Sequence, residues 1–244
     1  MSPMRDFVEL WVYLSATPLF GLTATLVAYV GAHALYQRLG YAPWANPVLW
    51  SVLLLAALLE LSGTPYPTYF SGAQFIHFLL GPAVVAMAWP LWQRRHELRT
   101  RWPALLLAGL AGGATAAGSA WIVGRSLGLP DEVLASLLPK SVTAPVAMGI
   151  AVELGGIAAL AAVFAVLTGL VGAISAKYLF DALGVHDPEV RGFAIGTAAH
   201  GIGVARALQV QPSAGAYAAL ALGLQVLLAA PLIPLARDLL RHLP

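Results

Sequence analysis

The chain has 244 residues, of which 59 % are hydrophobic and only 10 % charged. A soluble globular domain carries about 25 % charged residues, so the composition defines an integral membrane protein. A net charge of +2 with no long basic run argues against nucleic acid as a partner, and the absence of cysteine removes disulfides, thiolate catalysis and thiolate metal sites.

A membrane helix takes about 20 apolar residues. Runs free of Asp, Glu, Lys and Arg recur at 10–37, 39–59, 61–93, 102–124, 154–176 and 207–236. They predict six full spans in an all-α, polytopic membrane protein with a single domain over 1–244. The first run is too long for a signal-peptide core and is followed by no clear small-residue cleavage site, so it reads as a retained first helix. Glu60 marks a membrane boundary. Tyr66, Tyr69 and Phe70 read as an interfacial aromatic belt. His77 has no partner nearby in sequence.

Lys and Arg in short loops set orientation. The cluster Arg94, Arg95, Arg99 and Arg101 predicts a cytoplasmic loop. Arg38 then also lies inside, and the loop 63–72 outside. Arg237 and Arg241 fit this scheme badly. Gly109 and Gly113 form a small-xxx-small pattern suited to helix packing.

Two shorter stretches, 131–152 and 187–206, are apolar at both ends and punctured in the middle. They form a weak internal repeat: LGLPDEVLASLLPKSVTAPVAM begins at Leu127, and LGVHDPEVRGFAIGTAAHGIGVARAL at Leu183. Each follows an apolar helix, passes a Leu-Gly and starts with acid, as suits a helix N-terminus. Leu39-Gly40 is a fainter echo. If the punctured segments cross, the two units are parallel. If they re-enter, the units are inverted, an architecture of transporters. Half-segments of seven to ten residues span roughly 10–15 Å at 1.5 Å per residue. That reaches mid-bilayer and favours paired hairpins over broken spanning helices.

The punctures carry the candidate chemistry. Pro139 and Pro145 break a helix twice, with Lys140, Ser141 and Thr143 between them. A lysine at membrane depth is costly and functional by default, and a helix start offers free N–H groups to an anion. The bland alternative is a proline-turned loop with Lys140 reaching an interface. In the second segment Gly196, Gly201 and Gly203 loosen the helix, lined by Thr197 and His200. Arg206 offers a planar fork for a carboxylate, and His200 can change charge near neutral pH. Alternatively His200 bonds a carbonyl that the glycines free, and Arg206 is a helix end. Glu153 and His200 are the proton-coupling candidates, and Glu153 could also pair with Lys140 or Arg206. No paired-carboxylate, His-Glu-x-x-His or Gly-x-Ser-x-Gly motif is present. Adjacent Lys140 and Ser141 face different ways on a helix, so neither an enzyme nor a metal or cofactor is expected.

LPKSVTAPVAM and GTAAHGIGVARAL resemble the two signature segments of the LrgB/CidB family of bacterial membrane proteins, and YPTYFSGAQFIHFLLGPAVVAMAWPLW looks like a third. The resemblance runs from about residue 40 onward. It implies a multi-pass protein of the bacterial cytoplasmic membrane. It also implies one of two functions. Bacterial members are named as holin- or antiholin-like modulators of murein hydrolases and autolysis, often beside a small LrgA or CidA partner. Plastid members exchange glycolate and glycerate, and some bacterial members are linked to pyruvate uptake. The first implied function is therefore a small-monocarboxylate transporter whose anion meets Lys140, Ser141, Thr143, Thr197, His200 and Arg206. The alternative is a homo-oligomeric holin-like scaffold in the bilayer. Two departures from the family pattern, Ala144 and Val204, each lose a hydroxyl and bear on substrate preference.

Overall fold

The computed structural model describes residues 18–79, 82, 85, 86, 89, 92 and 95–241. The start of the first expected run, Arg94, much of 80–93 and the His77 side chain lie outside the described residues. Among the described residues all regular structure is helical, and the chain divides into two compact units, 1–86 and 87–244.

The first unit holds α1 (Pro18–Arg38), a short 3-10 turn (Pro43–Ala45), α2 (Pro47–Ser62) and α3 (Tyr66–Phe78). Asn46 caps α2, accepting from the Val48 and Leu49 amides, a standard way to satisfy the first free N–H groups. Tyr69 does not face outward with Tyr66 and Phe70. It is buried, and its hydroxyl lies 2.6 Å from Thr25 Oγ1 on α1.

The second unit holds α4 (Arg95–Ser126), α5 (Asp131–Leu137), α6 (Ala144–Glu153), α7 (Ala158–Ala182), α8 (Pro188–Val210) and α9 (Pro212–Arg241). Four helices among the described residues are long and apolar enough to cross a membrane, within α1, α4, α7 and α9. The expected count of six is not reached among them. The run at 39–59 opens with a left-handed Gly40 and the 3-10 turn, which leaves α2 only 16 residues. The run at 154–176 begins later, at Ala158, because Leu154 closes α6. The last run begins at Pro212, not 207. Gln211 is extended, as the residue before a proline prefers, and proline suits a first helical turn.

The packed interior is built from small side chains. Ala147, Ala151, Ala161 and Ala165 form one cluster, and Ala199, Ala214 and Ala218 contribute to another. Large apolar residues such as Val163, Leu167, Val171 and Leu227 are exposed. Lipid gives no hydrophobic drive between helices, so close backbone approach does the work. Gly192 and Gly196 on α8 lie directly against the Ala214 and Ala218 carbonyls of α9.

Register contacts show which way each element runs. Arg101 near the start of α4 meets Glu189 and Tyr217, while Arg125 near its end meets Asp131. These define an Arg101 side and an Arg125 side. Gly192 pairs with Ala214 and Gly196 with Ala218, so the first arm of α8 runs parallel to α9. Between them the chain must come back. Gly203 accordingly lies against Ile195, and Gly215 against Leu208. The reversal sits at His200, the one non-helical residue in α8, with φ 39° and ψ −136°. α8 is thus a re-entrant hairpin entering from the Arg101 side.

The first punctured segment turns the same way from the other side. α5 enters beside Arg125, residues 138–143 turn, and α6 returns. The return is fixed by Ile157, whose amide donates to Ser136 Oγ at 2.7 Å. Ten residues of α6 cover about 15 Å, half a bilayer. Both hairpins follow the same join. Gly128 and Gly184 have φ near 65°, and the residue after each donates back five positions, Leu129 to Gly124 and Val185 to Phe180. This is the glycine-terminated helix end. Tyr41 after Gly40 does the same to Tyr36, so the faint third echo shares the backbone geometry. Each unit of the repeat, span plus hairpin, has one crossing, and the two are inverted.

Candidate functional site

Both hairpins pack against α7. Val142 from the first tip belongs to the packed cluster that includes Ala165. His200 from the second places Nε2 2.7 Å from the Ala165 carbonyl oxygen. Gly169 makes room: a Cβ there would lie 2.9 Å from His200 Nε2.

The first tip is broken once, not twice. Pro139 is buried in the turn, but Pro145 sits in the first turn of α6, where its missing N–H interrupts nothing. Thr143 is the N-cap of α6 without a side-chain cap bond. Lys140 Nζ donates to the Ala116 carbonyl on α4 at 3.1 Å. Ser141 is only 8 % exposed, and among the described residues its hydroxyl has no hydrogen-bond partner.

In the second tip the break belongs to His200 rather than to the glycines. Gly196 lies inside the first arm, where its missing Cβ admits Ala218, and Gly203 admits Ile195. Nothing lies within 4 Å of a Cβ built on Gly201. Thr197 Oγ1 donates to Phe193 O at 2.9 Å, and its methyl faces Gly112 of α4. Arg206 is buried in the returning arm, not exposed at a helix end. Glu153 is exposed at the outer end of α6, away from the tips, because α6 runs back outward. It is not brought to Lys140.

Two cavities approach the tips from opposite sides. One, of about 590 Å³, has Arg125, Asp131 and Arg237 among its lining residues and reaches Ala116, Ser141 and Gln225. The other, of about 710 Å³, opens beside Arg101, Asp187 and Glu189 and reaches Gly112, Ala116 and Thr197. Ala116 lines both, and its carbonyl is the one that holds Lys140. Ser141 therefore faces one cavity and Thr197 the other. Lys140, Thr143, His200 and Arg206 line neither of these two. Among the described residues no group of three or more His, Cys, Asp or Glu could hold a metal ion.

Two residues were not singled out by the sequence. Gln225 is 2 % exposed and donates Nε2–H to Gly109 O at 2.6 Å. A lone amide in an apolar span was a usable signal. Ser136 is fully buried and joins hairpin to span, accepting from Ile157 and donating to Glu132 O. No local pattern marks it.

These elements define a multi-pass helical membrane protein with two oppositely entering hairpins. The chain belongs to the LrgB-like family, whose model matches residues 25–239. It is 34 % identical over 189 residues to an uncharacterized protein of Haemophilus influenzae, covering 78 % of this chain and 82 % of that one. It is 35 % identical over 185 residues to the uncharacterized protein YxaC of Bacillus subtilis, covering 76 % and 80 %. It is 28 % identical over 231 residues to the holin-like protein CidB of Staphylococcus aureus, covering 95 % and 97 %. No solved structure matches the chain.

Proposed function

We propose that this protein carries small monocarboxylates of the glycolate, glycerate and pyruvate class across the bacterial cytoplasmic membrane. The observation that carries this reading is that two inverted hairpins pack against the same spanning helix, His200 at the Ala165 carbonyl and Val142 in the cluster that includes Ala165, with Ala116 lining a cavity on each side. Broken helices meeting near the midplane at a repeat interface suit alternating access. Lys140, Ser141, Thr143, Thr197, His200 and Arg206 supply the anion contacts, with Lys140 leaving the Ala116 carbonyl when substrate enters. His200 and Glu153 are the proton-coupling candidates. The Arg101 side is cytoplasmic, since Arg95, Arg99, Arg101, Lys177 and Arg191 gather there.

A second reading is a holin-like modulator of murein hydrolases, acting as a homo-oligomer with a small LrgA- or CidA-like partner. The similarity to the holin-like CidB proteins supports this reading more than it supports carboxylate transport. Uptake of radiolabelled pyruvate, glycolate and glycerate into proteoliposomes holding this chain alone separates the two. The carrier reading expects uptake stimulated by an inward proton gradient and abolished by Lys140→Ala with insertion intact. No uptake of any of the three by folded protein would reject it in favour of the second reading.

A further inference from the structure

The 590 Å³ cavity on the Arg125 side is long and narrow. Gly109 of α4 and Gln225 of α9, joined by the 2.6 Å hydrogen bond from Gln225 Nε2, mark its inner end. Arg125 and Arg237, near the ends of the same two helices, mark its outer end. Sixteen residues of α4 and twelve of α9 separate the two ends, about 24 Å and about 18 Å of helix at 1.5 Å per residue. Over that length the volume leaves a cross-section of about 25–33 Å², less than half that of an α-helix, which is about 10–12 Å across. One leaflet of hydrocarbon is about 15 Å deep, so the cavity runs the depth of a leaflet. Ala114 and Leu232 both line it and are both exposed, and both lie in stretches able to cross a membrane. The cavity is therefore a groove between α4 and α9, open sideways at the level of lipid tails.

The walls suit a hydrocarbon chain. Leu134, Leu228, Leu232 and Ile233 supply apolar surface, and Gly118 leaves open space where a Cβ would stand. A two- or three-carbon acid would leave most of the groove empty, and a helix is too wide for it. The outer end has a different chemistry. Arg125 there is held by Asp131 at 2.9 Å. Arg237 is half-buried and among the described residues has no hydrogen-bond or ion-pair partner. Its place is also the one that orientation by Lys and Arg accounts for worst. A free guanidinium fork at the mouth of an apolar slot matches an oxyanion carried on a hydrocarbon tail, and phosphate is an oxyanion that such a fork grips with two parallel bonds.

We infer that the groove between α4 and α9 binds one acyl chain of an anionic phospholipid, with Arg237 on the headgroup phosphate. The net charge of the lipid matters because the ammonium of a zwitterionic headgroup competes for the same phosphate. A chain seated there lies along the approach to Ser141, which lines the same groove. The site depends on neither reading of the protein's function, since it needs only a bilayer around the chain. It also accounts for Arg237, whose place follows from lipid capture rather than from orientation.

Native mass spectrometry of the full chain released from detergent is the test, with phosphatidylglycerol and phosphatidylcholine of identical acyl chains offered at equal concentration. The wild type is expected to retain about fivefold more phosphatidylglycerol, the effect of one arginine at an anionic headgroup. Glycerol phosphate, a headgroup without chains, is expected to leave no adduct. Arg237→Gln is expected to remove most of the preference, whereas Arg99→Gln, an exposed cation on the other side, is expected to keep it. Gly118→Leu fills open space in the groove and is expected to lower retention of both lipids several-fold. The ratio is read within each protein, so loss of folded material does not alter it, and the wild-type comparison needs no variant. Equal retention of the two lipids by the wild type overturns the inference. So does a preference that survives Arg237→Gln or falls equally in Arg99→Gln, or lipid retention that Gly118→Leu leaves intact. Glycerol phosphate bound as well as the lipid would mark a free-phosphate site and overturn it. A wild-type dimer that Gly118→Leu splits, with lipid retention unchanged, would overturn it in favour of a second copy of this chain at the groove.

Discussion

His200 Nε2 lies 2.7 Å from the carbonyl oxygen of Ala165, across the interface between the second hairpin and α7. A carbonyl can only accept, so Nε2 carries the proton. The same residue holds a left-handed φ of 39°. One side chain therefore both reverses the chain and ties the reversal to a spanning helix.

That double role gives a graded prediction. Non-glycine residues at such φ/ψ cost about 1–3 kcal/mol, and β-branching raises the cost. His200→Gly loses the hydrogen bond but relaxes the backbone. His200→Val loses the bond and adds strain. Thermal denaturation in detergent should rank wild type above His200→Gly, and His200→Gly above His200→Val.

Glycines in the second hairpin separate by their surroundings. A Cβ at Gly196 would enter the Ala218 backbone, which cannot yield as a flexible side chain would, whereas a Cβ at Gly201 meets nothing within 4 Å. Gly196→Ala should destabilise by about 1–3 kcal/mol or more, as overpacking does. Gly201→Ala should be close to neutral. Paired melting curves check this, and equal effects would contradict the close packing of α8 on α9.

Ser136 fastens the first hairpin to α7 through the Ile157 amide at 2.7 Å. Ser136→Ala leaves that part-buried N–H without its partner, a loss of about 1 kcal/mol. Hydrogen exchange should show faster opening at Ile157 and in α6 than at the His200 hairpin.

Arg101 and Glu189 pair at 2.8 Å with side chains 55 % and 24 % exposed. Exposure and salt limit such a pair to at most about 1 kcal/mol. In a double-mutant cycle, Arg101→Glu should lower stability modestly, and adding Glu189→Arg should recover most of the loss.

Much of this architecture was legible in the sequence. The Leu-Gly joins before Asp131 and Asp187 marked two equivalent units, and both glycines adopt the same left-handed end. The length of the half-segments favoured return over crossing, and that places Lys177 on the Arg101 side, beside Asp181 and Arg191. The end of the second hairpin was missed, although Gln211-Pro212 carried a boundary signal. The reversal was assigned to glycines because flexibility is visible in a sequence and tertiary support is not. His200 is held in its conformation by Ala165 and Gly169, which lie more than thirty residues away in the chain. Ser136 and Gln225 escaped for the same reason. Their partners, Ile157 and Gly109, are backbone groups of other helices. The aromatic cluster divided because Thr25, far off in sequence, claims Tyr69.

Both punctured segments turn back before crossing, from opposite sides. The chain has no cysteine, so single cysteines at Glu132, Glu153, His186 and Gln211, all exposed, can be labelled with a membrane-impermeant thiol reagent in oriented vesicles. Glu132→Cys and Glu153→Cys are expected to label from one face, and His186→Cys and Gln211→Cys from the other. Labelling of positions 132 and 153 from opposite faces would contradict that arrangement.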